Sequence, residues 1–273
     1  MAQGARGLAC GRRRVKRLIS IKISHYNEQA RWALDLARVP YVEEPYMPIL
    51  HFLPVMMAVG FSGKWDRVST RFSTPVLVES GATPVCDSRE IMRLAHREML
   101  ARGEGLRIDD PEVDVYIQRF HDHLGPHTRR AGYGFGLENL SVLRRLAWVN
   151  VGPWQARLFA VVAPFGRFAI RKSLGVTPES AARSADKVRA MFRDVGEILS
   201  AQEFIAGKTF SAADISFSAL SAPSLLVQPD EGYGAAFPTL AESPAGARAF
   251  ADELRGTVAG KHAIRMFGQF RRP

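Results

Sequence analysis

Only two cysteines, Cys10 and Cys86, occur in the 273 residues. They are too few for a disulfide framework, and their spacing matches no metal-ligand pattern. No stretch offers the roughly 20 nearly uncharged residues that a membrane span needs. The most apolar one, residues 146–170, is interrupted by Arg157 and Arg167 and by Pro153 and Pro164, so it reads as buried or amphipathic helix. No apolar segment follows the basic start, so a secretory leader is not expected. Low-complexity tracts and repeats at solenoid periods are missing. Nothing interleaves basic and aromatic residues like a nucleic-acid platform. These absences point to a cytoplasmic, reducing setting.

What is present is ordinary in bulk and uneven in detail. The length fits two compact domains, and the 47% hydrophobic and 23% charged fractions are those of a globular protein. The net charge is +10, but six of those charges, Arg6, Arg12, Arg13, Arg14, Lys16 and Arg17, lie in an opening stretch without one acid. Residues 1–17 therefore read as a basic extension, either a solvated arm or a contact for an anionic membrane surface, a nucleic acid or an import receptor.

Residues 18–23 alternate and are β-branched, which predicts a strand. Residues 27–38 carry Ala30, Ala33, Leu34 and Ala37 at helical spacing, and Pro40 stops them. A second strand over 41–46, a short irregular helix within 48–63, a hairpin over 74–86 and a helix over 88–101 complete a β-α-β-α-β-β-α order. The Gly-rich, charged stretch 101–109 is the expected boundary, giving a domain over 18–102 and an all-helical one over 109–270. Helices are expected at 110–125, 138–170 (broken near Pro153 and Pro164), 178–201, 211–227 and 244–258.

Three local features can carry chemistry. Ser24-His25-Tyr26-Asn27 sits where a strand enters a helix, so backbone N–H groups and the positive dipole end face whatever binds at the turn. A thiolate there is stabilised and becomes a nucleophile at neutral pH, with Ser24 able to donate to it. Equally, Ser24 or Asn27 can simply cap the helix. Thr74-Pro75-Val76 enters a strand whose backbone can pair with an extended peptide, above all if the bond before Pro75 is cis. Asp87-Ser88 opens a helix. Together they can hold the ammonium and carboxylate of an α-amino acid end, or Asp87 and Glu90 can form a capping box.

Taken in order and spacing, these features resemble the glutathione transferase superfamily. The segments SHYNEQARWALDLARVPYVEE and TPVLVESGATPVCDSREI are similar to its bacterial members, and FIAGKTFSAADISFSAL and RGTVAGKHAIRMF extend the likeness over residues 18–270. The resemblance implies an α/β thioredoxin-like N-terminal domain followed by an all-α C-terminal domain, glutathione as co-substrate, no metal, and a homodimer. It implies Ser24 and Asn27 as catalytic positions. Tyr26, Pro75 (cis), Val76, Asp87 and Ser88 would be glutathione contacts. Relatives often carry cysteine where this chain has Asn27, which removes mixed-disulfide chemistry here. Ser211 and Asp214 read as a structural helix cap, with Phe210 as a hydrophobic staple.

Tyr116, Phe120 and Trp148 are aromatic candidates for a second-substrate pocket, although core packing is the plainer role. His121, Asp122, His123 and His127 are not expected to bind metal, because residues two apart do not share a helix face. Gly132-Tyr133-Gly134-Phe135-Gly136 lacks the lysine of a phosphate loop and reads as a flexible turn. The expected function is a detoxifying glutathione S-transferase, adding the glutathione thiolate to a small apolar electrophile or reducing a peroxide with it. The alternative is a non-catalytic binding or scaffold protein, and neither needs nucleic acid.

Overall fold

The computed structural model describes residues 15–60, 72–137 and 139–271. Four strands form one mixed sheet in the order β2-β1-β3-β4: β1 (Lys16–Ser20), β2 (Tyr41–Pro45), β3 (Val76–Val78) and β4 (Val85–Cys86). β1 runs parallel to β2 and antiparallel to β3, with Leu18 opposite Glu43 and Leu77. Helices α1 (His25–Leu36), α2 (Phe52–Val59) and α3 (Ser88–Leu100) complete the predicted order of the first unit.

β1 starts two residues earlier than its alternation suggests, which takes Lys16 and Arg17 out of the basic extension. Acids on and just beyond the neighbouring strands explain this: Lys16 pairs with Glu79, which follows β3, at 2.9 Å, and Arg17 with Glu44 of β2 at 3.0 Å. Residues 1–14, including Cys10, and the last residues assigned to the irregular helix near 63 lie outside the described residues. β1 also ends early. Residues 21–24 form a turn in which the Ser24 N–H donates to the Ile21 carbonyl at 2.8 Å.

From residue 111 the described chain is helical: α4 (Pro111–Arg119), a π-helical turn (Phe120–Leu124), α5 (Gly125–Gly136), α6 (Leu140–Asn150), α7 (Pro153–Leu174), α8 (Pro178–Ala201), α9 (Ala212–Leu225), α10 (Ala245–Gly256) and α11 (Val258–Phe270). The long apolar segment breaks at Val151-Gly152 but continues as helix through position 164. The glycine run 132–136 is helix, not a flexible turn. Its reason is tertiary: a Cβ at Gly134 would strike the Ala181 side chain of α8, so glycine lets the two helices pack closely. The segment after Thr257, assigned no helix from its pattern, is α11, with the Thr257 hydroxyl capping the Gly260 N–H at 3.0 Å.

α9 is buried along its whole length and forms the axis of the core. Phe217 on α9 meets Phe120 and Phe192, and Trp32 on α1 meets Phe267 on α11. At the α9 start the Asp214 carboxylate accepts from the Ser211 N–H at 2.9 Å and the Ile205 N–H at 3.0 Å, with His262 Nε2 at 2.9 Å from it. Phe210 stacks on Phe270, with centroids 4.1 Å apart.

One polar network ties the two units together. The Glu28 carboxylate, fully buried, accepts from Arg31 at 2.6 Å, Arg271 at 2.6 Å and the Gly234 N–H at 3.0 Å. Arg271 also reaches Asp35 at 2.8 Å, and Arg31 reaches Glu43 at 2.7 Å. Burial alone would push the Glu28 carboxyl up, yet the two guanidinium groups hold it below the usual range.

Candidate functional site

The first turn of α1 rests on the bend between α4 and α5. His25 Nε2 lies 2.9 Å from the Gly125 carbonyl, and the Tyr26 hydroxyl donates to the His121 carbonyl at 3.0 Å. These two side chains thus anchor the first turn of α1 on main-chain carbonyls within and just after the π-helical turn. Burial, reinforced by the nearby Arg129 charge, pushes the His25 pKa down to about 3, so the ring is neutral at physiological pH. Burial pushes the Tyr26 hydroxyl up to about 12, so it is a hydrogen-bond donor and not a phenolate.

Between these residues, Ser24 is the N-cap of α1, with extended backbone and no capping bond from its side chain. Its hydroxyl is thus not committed to the helix. Ser24 stands on the rim of a cavity of about 200 Å³, walled by the β1–α1 turn, α5, α6, α9, α10 and the loop before α10. The wall is mostly apolar, with Ile23, Tyr133, Leu146 and Phe237 among its members. Two of the glycines misread as a turn, Gly132 and Gly136, lie four apart on the cavity side of α5, and a Cβ at either would meet open space. They thin the helix and widen the chamber.

Two polar groups stand out in that wall. Ser224, almost fully buried, has a hydroxyl without a hydrogen-bond partner. Arg129 on α5 takes part in no ion pair or hydrogen bond with the described residues. Glu242, also in the wall, is already engaged by Arg145 at 2.6 Å. The chamber therefore offers apolar surface, a serine beside a helix N-terminus, and one cation without a counter-charge among the described residues. Neither Arg129 nor Ser224 was singled out by sequence pattern, because an isolated arginine or serine in a helix carries no local signal.

The other predicted residues fall differently. The Thr74–Pro75 bond is cis, the form the resemblance implies. Val76 is in an inner strand, opposite Ile19 on one side and Cys86 on the other, so its main chain is flanked by the sheet. Thr74, just outside the ladder, is the residue beside the turn, and its hydroxyl accepts from Asn27 Nδ2 at 3.1 Å. Asn27 is fully buried and its Oδ1 has no partner.

Asp87, at φ 76°, caps α3 through the Arg89 N–H at 2.9 Å and pairs with the Arg89 guanidinium at 3.2 Å. Ser88 is buried and donates to Gln29 Oε1 at 2.8 Å, while Gln29 Nε2 donates to Ser216 at 2.7 Å. That relay stitches α3, α1 and α9 together and turns the Ser88 hydroxyl inward. None of the three aromatic candidates lines the chamber. Phe120 is core, Tyr116 stacks on it at 6.0 Å, and Trp148 projects from α6 into solvent. Their helical spacing was visible, but not which face turned inward. The histidines are also apart in role: His121 faces Asp87 at 3.7 Å, and His127 lies 3.2 Å from the Ser184 hydroxyl.

The mixed sheet with helices on it, followed by a helical second unit, has counterparts among solved structures. A glutathione transferase of Populus trichocarpa is 15% identical, with a TM-score of 0.52 over 94% of this chain and 100% of that one. This chain has the glutathione transferase fold. The β-etherase LigF of Sphingobium sp. strain SYK-6 is 18% identical, with a TM-score of 0.52 over 92% of this chain and 99% of its own. A second poplar glutathione transferase is 14% identical, with a TM-score of 0.51 over 92% of this chain and 97% of that one. The chain matches no protein-family profile and no curated protein. In the glutathione transferase fold of this chain, no helix among the described residues is long and apolar enough to cross a membrane.

Proposed function

We propose that the protein is a glutathione transferase that joins the glutathione thiolate to an apolar electrophile held in the chamber beside Ser24. The observation that carries this reading is the Ser24 hydroxyl, uncommitted at the N-terminus of α1 and on the rim of an apolar cavity. The tripeptide would lie along the backbone near Thr74, with its thiol at the first turn of α1. There the helix dipole and a hydrogen bond from Ser24 favour the thiolate, and the thiol proton passes to solvent. The sulfur lone pair then forms the new bond to the electrophile, whose leaving group departs with the electron pair. Arg129 would read an acidic group on that electrophile, and Ser224 would complete its hydrogen bonding.

A Ser24→Ala variant should lose at least about tenfold in kcat/KM for a model electrophile, the range for a lost hydrogen bond to a charged group. Unchanged turnover would remove Ser24 from the chemistry. Arg129→Met should raise KM for acidic electrophiles and leave neutral ones alone.

A second reading is a binding protein on the same fold, without turnover. It is favoured by the inward commitment of Ser88 and by the Asp87–Arg89 pair, which occupy the groups expected to hold the γ-glutamyl end. Calorimetry with glutathione beside a conjugation assay separates the two: heat with product supports the first reading, and no product, with or without heat, favours the second.

A further inference from the structure

Helices α6 and α7 form an antiparallel hairpin whose outer face is unusual for a protein surface. Phe165 is 80% exposed, Val161 74% and Phe168 69%, and Trp154, Leu158 and Trp148 are also exposed. Along α7 the residues 154, 158, 161, 165 and 168 recur at spacings of four and three, so they form one stripe down a 22-residue helix. Trp148 joins the stripe from α6, with the Arg157 guanidinium 5.7 Å from its ring centre. The opposite side of the hairpin is already used: Ala147, Val151 and Ala156 pack together with Met47, and Gln155 holds the Met47 N–H at 2.9 Å and the Pro45 carbonyl at 3.0 Å. The outward direction of the stripe is thereby fixed. A contiguous exposed apolar face of this kind marks an interaction site.

Charge identifies the partner. Residues 139–178 contain six basic residues and no acidic one. Arg145 is engaged by Glu242, but Arg157 and Lys172 are exposed on the stripe itself. A second copy seated on the stripe would bring these cations against their own equivalents with no carboxylate from the hairpin between them. An anionic surface would neutralise them. Exposed tryptophans beside the basic residues suit the boundary between lipid headgroups and acyl chains. The hairpin lies along such a boundary and does not cross it, because no helix among the described residues is long and apolar enough to span.

We infer that the α6–α7 hairpin is a membrane-surface anchor that docks the protein on anionic lipid by its Trp–Phe stripe. The anchor lies on the outer face of the hairpin, apart from the chamber, so it holds whether or not the protein conjugates glutathione. Docking would bring the protein to apolar molecules that partition into lipid.

The test is co-sedimentation of the full chain with phosphatidylcholine vesicles, with and without phosphatidylglycerol. Binding should require the anionic lipid, weaken as salt screens the charge, and shift tryptophan emission to the blue. A Phe165→Glu/Phe168→Glu variant, altered only at exposed positions, should keep its circular dichroism and bind about tenfold less or worse. Deleting residues 2–14 tests the basic extension and should leave vesicle binding in place. Absence of binding would overturn the inference. So would binding that is lost with residues 2–14 and unaffected by the two glutamates. Sedimentation velocity showing a dimer that the two glutamates split would assign the stripe to a second copy instead.

Discussion

His25 makes stability depend on pH as the solution is taken below the ring's ordinary pKa. Its ring is buried, donates toward the Gly125 carbonyl and has the Arg129 charge nearby, so protonation in the folded state is suppressed to about pH 3. In the unfolded chain the same ring protonates near its ordinary value of 6.5. Below that value the unfolded state therefore binds the extra proton, and stability falls with pH at up to about 1.4 kcal/mol per unit. Between pH 8 and pH 5 the contribution of this one group comes to about 2 kcal/mol, or roughly 4–8 °C in melting temperature for a chain of this size. The comparison is with His25→Gln, whose amide can still donate toward Gly125 but does not titrate. His51, His121 and His127 are also held below their ordinary values by burial, so they add slope to both proteins and cancel. Urea titrations at pH 8 and pH 5 should show the parent losing about 2 kcal/mol more than the variant. Equal losses would mean that His25 is not the buried neutral ring the geometry describes.

Arg271→Met should destabilise by about 3 kcal/mol, because Glu28 is left buried with one guanidinium instead of two; thermal melts at pH 7 measure it. The Glu28 contribution should also be present above its unfolded pKa of about 4.5 and fade as acid is added, so Glu28→Gln should flatten the acid limb of the stability curve. Gly125→Ala places a methyl against the Tyr26 ring and hydroxyl, and should cost about 1–3 kcal/mol by chemical denaturation. Gly132→Leu points into open chamber space. It should leave stability equal or higher by up to about 1 kcal/mol while raising KM for bulky electrophiles, and an unchanged KM would move the second substrate elsewhere.

What the sequence revealed was governed by how far each residue's partner lies along the chain. The Ser211–Asp214 cap was readable because both members sit within one helical turn, and the β-α-β-α-β-β-α order because alternation and 3.6-residue periods are local. The partner of the Ser88 hydroxyl, Gln29, lies 59 residues away, so no local pattern shows it. The neighbours of Val76, Ile19 and Cys86, come from strands that its own pattern does not name. The glycines of α5 looked like punctuation, whereas helix packing at Gly134 and chamber width at Gly132 and Gly136 decide their place. The Glu28 carboxylate and the chamber's Arg129 gave no signal, since an isolated charged residue reads as surface until the fold encloses it.

The reach of Arg271 across 243 residues to Glu28 also bears on the order in which the molecule is finished. As the chain leaves the ribosome, α1 can form early, but its buried acid then has only the local arginine for company. The second guanidinium arrives after nearly everything between has been synthesised. Completion of the charge network on α1 thus waits on a segment 243 residues further along the chain, and anything that delays or displaces that segment acts back on α1.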